Sequence, residues 1–163
     1  MKEEKRLISS EALFSAIGEL LAEDRQAVFV VTGMSMWPFL CHGRDQVVVE
    51  RCDQTRLKRG DVVLFQTVLG NYILHRITRL DSEFFESTGD GNCFRDGRFP
   101  RTCIKARVCS FIRKGKTIPC DSHVWRAVFA LWGALFPVRR FLLRALRMGS
   151  RLKTSMIKAF KHG

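Results

Sequence analysis

The chain has 163 residues, 46% apolar and 27% charged, a globular mix that excludes a disordered chain and leaves room for one domain with an appendage. Its formal net charge of +12 is unevenly placed: residues 1–110 carry 16 basic and 15 acidic side chains, whereas residues 111–163 carry 12 basic and one acidic, Asp121. That asymmetry argues against a uniformly cationic nucleic-acid domain over the first two thirds. The charged opening, Met1–Arg6, predicts no secretory leader, and no run of about 18 uncharged apolar residues predicts a membrane span. The six cysteines (Cys41, Cys52, Cys93, Cys103, Cys109, Cys120) form no CxxC pair, which argues against structural zinc and for reduced thiols that fill space.

Ser9 or Ser10 followed by Glu11 reads as a helix start, and Leu13, Ile17, Leu20 and Leu21 share one face. The spacing predicts an amphipathic helix over Ser10–Glu23. From Ala27 the pattern turns to strand: Val28–Val31, Val47–Glu50, Asp61–Gln66, Tyr72–Leu80, Glu83–Ser87 and Ala106–Phe111, separated by glycine turns. Six strands with short turns and no βα alternation predict a mainly β domain with one N-terminal helix, covering residues 1–113. Residues 114–163 change to helical grammar and predict a basic helical tail. Asp121 or Ser122 caps Val124–Phe136, Pro137 breaks it, and a second helix follows from Val138 to Phe160. In that helix Phe141, Leu142, Ala145, Leu146, Leu152, Met156 and Phe160 recur at helical spacing, with arginines on the other side.

Three segments carry chemistry. In Thr32-Gly33-Met34-Ser35-Met36-Trp37-Pro38 a strand halts at a glycine and a turn can present a serine hydroxyl beside backbone N–H groups. Leu74-His75-Arg76-Ile77 places an imidazole inside an apolar strand. Thr88-Gly89-Asp90-Gly91-Asn92, followed by Asp96, supplies carboxylates. Each alone has a bland reading, as a turn serine, a satisfied strand histidine and an acidic turn. Together they are the inventory of a Ser–His–Asp hydrolase: an imidazole that takes the serine proton and a carboxylate that orients the ring.

The ordered boxes Gly-x-Ser-Met-x-Pro-x-Leu from Gly33, then Gly60-Asp61-Val62-Val63, His75-Arg76-Ile77 and Gly89-Asp90-x-Asn92, resemble the signal peptidase I clan of serine peptidases. The resemblance spans about Ala27–Val108 and implies a LexA/signal-peptidase-type β domain. A histidine in place of the lysine of bacterial members is similar to the subgroup found in the endoplasmic reticulum and archaea. It implies Ser35 as nucleophile and His75 as general base, with Asp96 orienting the ring and Asp90 holding the loop, the two aspartates being exchangeable at this point. It implies a serine endopeptidase that cleaves a leader or signal-like peptide and needs no cofactor or metal. Many members carry a hydroxyl two residues before the nucleophile; Gly33 stands there, leaving oxyanion stabilisation to backbone N–H groups.

Two other classes compete. A LexA-like self-cleaving regulator needs a DNA-binding domain, and only one helix precedes Ala27. An inactive, membrane-attached interaction module needs only the tail. The apolar stripe with its basic flank predicts peripheral attachment to an anionic membrane surface, on the cytoplasmic side given the absence of a leader, and disfavours nucleic acid as the partner.

Overall fold

The computed structural model describes residues 10–161, with side chains described from 11 to 150. Ser9 and the stripe residues Leu152, Met156 and Phe160 fall outside those limits. The leading helix, α1, is Ser10–Ala22. Eight strands follow: β1 Ala27–Val30, β2 Gln46–Arg51, β3 Val62–Gln66, β4 Tyr72–Leu80, β5 Phe84–Thr88, β6 Arg98–Pro100, β7 Ile104–Arg113 and β8 Lys116–Pro119. Helices α2 (His123–Ala134) and α3 (Arg139–Lys161) close the chain, joined by a short 3-10 turn, Phe136–Val138, around Pro137.

All pairings are antiparallel, in the order β1-β2-β7-β3-β4-β5-β6. The ten-residue β7 is the hub. It pairs with β2 along one edge, while on the other β3 takes its first half and β8 its last. The fold is therefore mainly β with helical ends. Two strands exceed the six expected from sequence. β6 is three residues ending in Pro100, at home only on an edge. β8 is polar and exists because Lys114 and Gly115 both take positive φ (51° and 75°), the geometry of a two-residue hairpin turn.

Side-chain alternation along the strands builds two apolar layers. Val62 and Leu64 of β3 join Val47, Val49, Ala106 and Val108 under α1, where Ile17 and Leu21 are buried. Val63 and Phe65 point the other way, to Ile77, Phe85 and Ile104. Both faces of β3 are covered, which is why it reads as a continuous apolar run.

The boundary expected between residues 113 and 114 falls inside the β7–β8 turn, and α2 belongs to the core. Phe129 and Trp132 are buried. Phe39, in the loop after β1, meets Trp125, Phe129 and Trp132 edge-on, at centroid distances of 6.4, 5.2 and 5.5 Å. Such edge-to-face pairs add to the area they bury, so α2 clamps the β1–β2 loop. No helix among the described residues is long and apolar enough to cross a membrane.

Candidate active site

The Ser35 turn begins where β1 ends. Gly33 has φ +82°, a region that glycine enters without strain, and its N–H donates to His42 Nδ1 at 3.0 Å. Trp37 N–H returns to the Met34 carbonyl at 3.2 Å, and Leu40 N–H to that of Met36 at 2.9 Å. Met34 is exposed while Met36, 2% exposed, is drawn into the core with Leu40, so Ser35 is held half-buried at the rim between them. The backbone N–H groups of Met34, Ser35 and Met36 make no hydrogen bond among the described residues.

β4 supplies two consecutive polar side chains, and the period-2 pleat sends them to opposite faces. His75 is 7% exposed, and its Nδ1 lies 2.5 Å from Asp96 Oδ2. Ser87 Oγ donates to the same oxygen at 2.7 Å, and Asp96 N–H donates to the Ser87 carbonyl at 3.0 Å. A carboxylate that accepts here makes Nδ1 the donor, and in the neutral ring that tautomer leaves the lone pair on Nε2. Arg76, the next residue, faces the other way. Its Nε and Nη2 form a two-pronged pair with Asp90 at 2.8 and 2.7 Å, its Nη1 donates to the Gly60 carbonyl at 2.6 Å, and its guanidinium stacks 3.8 Å from the Phe129 ring centroid.

The same alternation separates the two aspartates. Thr88 is paired with Arg76 and Ser87 with Ile77. Continuing outward, Gly89 lies across from His75, and Asp90 returns to the Arg76 face. Asp96 is brought back to the His75 face by the loop after Asn92. The exchange left open by the sequence resolves geometrically: Asp96 contacts the imidazole, and Asp90 is an ion-pair and carbonyl anchor, its main-chain oxygen accepting from Trp132 Nε1 at 3.0 Å.

Two glycines bring the serine turn to the histidine. Gly91 N–H donates to the Ser35 carbonyl at 2.7 Å. A Cβ on Gly89 would sit 2.4 Å from the Ser35 carbonyl oxygen and 3.0 Å from His75 Nε2, so these two atoms lie no farther apart than the sum of those distances. Nε2 thus faces the Ser35 turn while Nδ1 faces Asp96. No hydrogen bond joins Ser35 Oγ to His75 among the described residues; in unliganded sites that contact is commonly long and tightens with substrate.

Sequence reasoning gave Ser87, Arg76, Trp132 and Arg139 no part in this site. Arg76 carried a usable signal, since a residue adjacent to a strand histidine must face the opposite layer. The others are long-range contacts with no local mark. Cys52 and Cys120, both partly buried, offer no rival nucleophile: burial pushes Cys52 up to about 11 and Cys120 up to about 12, far from the thiolate form at neutral pH. Among the described residues no cluster of His, Cys, Asp or Glu could hold a metal ion. A scan against models of protein families and a search of curated proteins each found no match to this chain.

Proposed function

We propose that the protein is a serine endopeptidase in which Ser35 is the nucleophile, His75 the general base and Asp96 the residue that positions the imidazole. The observation that carries this reading is the orientation of His75: Nδ1 on the Asp96 carboxylate, Nε2 toward the Ser35 turn. In the reaction, His75 Nε2 takes the Ser35 proton as Oγ attacks a peptide carbonyl. The imidazolium is stabilised by Asp96 and then protonates the leaving amine, and water releases the acyl group by the reverse use of the same base. The backbone N–H groups of Met34, Ser35 and Met36 are the donors at hand for the oxyanion, whereas that of Gly33 is occupied by His42. The substrate class is an extended leader or signal-like peptide. β1 is a sheet edge that runs straight into the Ser35 turn, with Val28 and Val30 exposed, a surface that suits an added strand.

The same proposal places the enzyme at an anionic membrane surface. On α2, Trp125, Phe129 and Trp132 turn inward while Val124, Val128 and Leu131 are exposed. Among the described side chains of α3 only Arg139 and Leu143 are buried, and the stripe residues Phe141, Ala145 and Leu146 face solvent beside Arg140 and Arg144. An exposed apolar stripe with a basic flank suits a lipid interface.

A degenerate peptide library, with fragments read by mass spectrometry, tests the chemistry. Wild type cleaves; Ser35→Ala and His75→Ala do not; Lys58→Ala and Lys105→Ala, both at exposed positions, cleave as wild type does. Turnover retained by Ser35→Ala would exclude this mechanism.

A further inference from the structure

A cleft of about 570 Å³ opens between the sheet and α2, on the Arg76 side of β4, and neither Ser35, His75 nor Asp96 lines it. Its volume is in the range of small-molecule sites. The polar lining is lopsided: Arg59, Arg76, Arg95, Arg126 and Arg139 border it, against Asp61 and Asp90. Arg76 is paired with Asp90 at 2.7 Å, Arg95 with Glu86 at 3.3 Å and Arg126 with Asp121 at 3.5 Å. Arg59 is exposed and makes no ion pair or hydrogen bond among the described residues.

Arg139 is the unusual member. It is 3% exposed, yet no carboxylate lies within ion-pair distance of it among the described residues. Its Nη2 donates to the Trp132 carbonyl at 3.0 Å, and Nη1 reaches the Gly89 and Asn92 carbonyls at 3.5 Å each. Its buried Nε has no hydrogen-bond partner among the described residues. Burial pushes its pKa down against the attraction of Asp90, whose carboxylate is already paired with Arg76. A buried guanidinium left without an anion is costly, and an acceptor in the cleft removes that cost. Apart from Thr78 and Thr88, the remaining walls are largely apolar. Ala127, Ala130, Gly133 and Ala134 of α2 leave the space open, and Phe129 and Phe136 close it, with the Arg139 guanidinium 4.9 Å from the Phe136 centroid.

We propose that this cleft binds an amphipathic anion, a phosphate head on a short apolar body, with the head on the guanidinium groups led by Arg139 and the body against Phe136 and the alanine side of α2. Guanidinium matches phosphate geometry with two parallel hydrogen bonds. The site is separate from the peptidase reading and stands or falls without it.

Calorimetric titration of the full chain with octyl phosphate tests the site. The expected result is saturable binding that survives Ser35→Ala and weakens by about tenfold or more in Ala130→Trp, which fills the cleft from an exposed helix position. Arg139→Met abolishes binding where it folds; Ala130→Trp, with its Tm checked, decides the matter where it does not. Displacement of octyl phosphate by inorganic phosphate marks a free phosphate compound as the natural ligand, and displacement only by phosphatidic acid vesicles marks a lipid. Equal binding of octyltrimethylammonium, or undiminished octyl phosphate affinity in folded Ala130→Trp, overturns the proposal.

Discussion

Asp90 and Asp96 are six positions apart and chemically identical, yet their surroundings assign them opposite work. Asp96 shares one oxygen between His75 Nδ1 and Ser87 Oγ. In Asp96→Asn, an NH₂ at that shared place donates to both Ser87 Oγ and Nδ1 and favours the tautomer with the proton on Nε2. The base is lost while the packing stays. Cleavage is expected to fall on the order of 10²- to 10⁴-fold in kcat, with little change in Tm or KM. Asp90→Asn is expected to do the reverse. It leaves Arg76 buried against Phe129 without a counter-charge, at a cost of about 3–5 kcal/mol. Thermal unfolding run beside steady-state kinetics separates the two; comparable loss of Tm in both variants would remove the distinction.

At the level of elements, the site depends on the β1–β2 loop staying against the β5–β6 loop. Gly89 and Gly91 make that approach possible by having no side chain. Alanine at Gly89 would place a Cβ 2.4 Å from a backbone oxygen, a contact that only movement of the Ser35 turn can relieve. Gly89→Ala is therefore expected to cut kcat about 100-fold or more, as a displacement of the order of 1 Å does at a catalytic group. Normal kcat in that variant would mean that the turn and the histidine are not coupled. The other end of the loop is tied by Asp45, which is fully buried. Burial pushes its carboxyl up, but hydrogen bonds from Arg44, Arg113 and the Cys41 N–H outweigh this and hold it at about 2. Because the folded-state value lies below the unfolded one, this stability is present above about pH 4 and is lost as the pH falls through 2. It is worth about 2 kcal/mol. Asp45→Asn should narrow the difference in Tm between pH 7 and pH 3; an unchanged difference would show that Asp45 is not an acid-sensitive tie.

For the molecule as a whole, the C-terminal helices divide their labour. Removing residues from 124 onward takes away Phe129, Trp132 and Arg139, whose buried contacts reach the Ser35 loop and the Gly89–Asn92 turn. Even Phe129→Ala should cost about 3–5 kcal/mol. Removing residues 150–163 takes away four basic side chains, Arg151, Lys153, Lys158 and Lys161, and should leave the fold and peptide cleavage intact. Each basic residue is worth about 1 kcal/mol near an anionic lipid surface. Vesicle co-sedimentation should show the shortened chain binding anionic vesicles more weakly. Added salt should weaken the full chain, since exposed charges are screened beyond about 8 Å at physiological ionic strength. Equal sedimentation of both chains would locate any membrane contact elsewhere.

Much of this was written locally in the chain. Alternating valines and intervening glycines specify strands, the 3.6-residue spacing specifies both ends as helical, and the Gly33 stop with Ser35, His75 and the acidic turn marks the candidate chemistry. These signals depend on neighbours a few residues away, so they survive without a fold. Register does not. Whether Asp90 or Asp96 meets His75 depends on the Arg76–Thr88 pairing and on a loop return. Whether α2 is an appendage or a core element depends on Phe39, some ninety residues earlier in the chain. Likewise Arg139 reads as one of many basic tail residues, and only packing buries it beside a cleft where the near carboxylate, Asp90, is already paired with Arg76. Composition fixes how many charges and apolar groups exist, whereas long-range contacts decide which are desolvated, and desolvation sets the value of each charge.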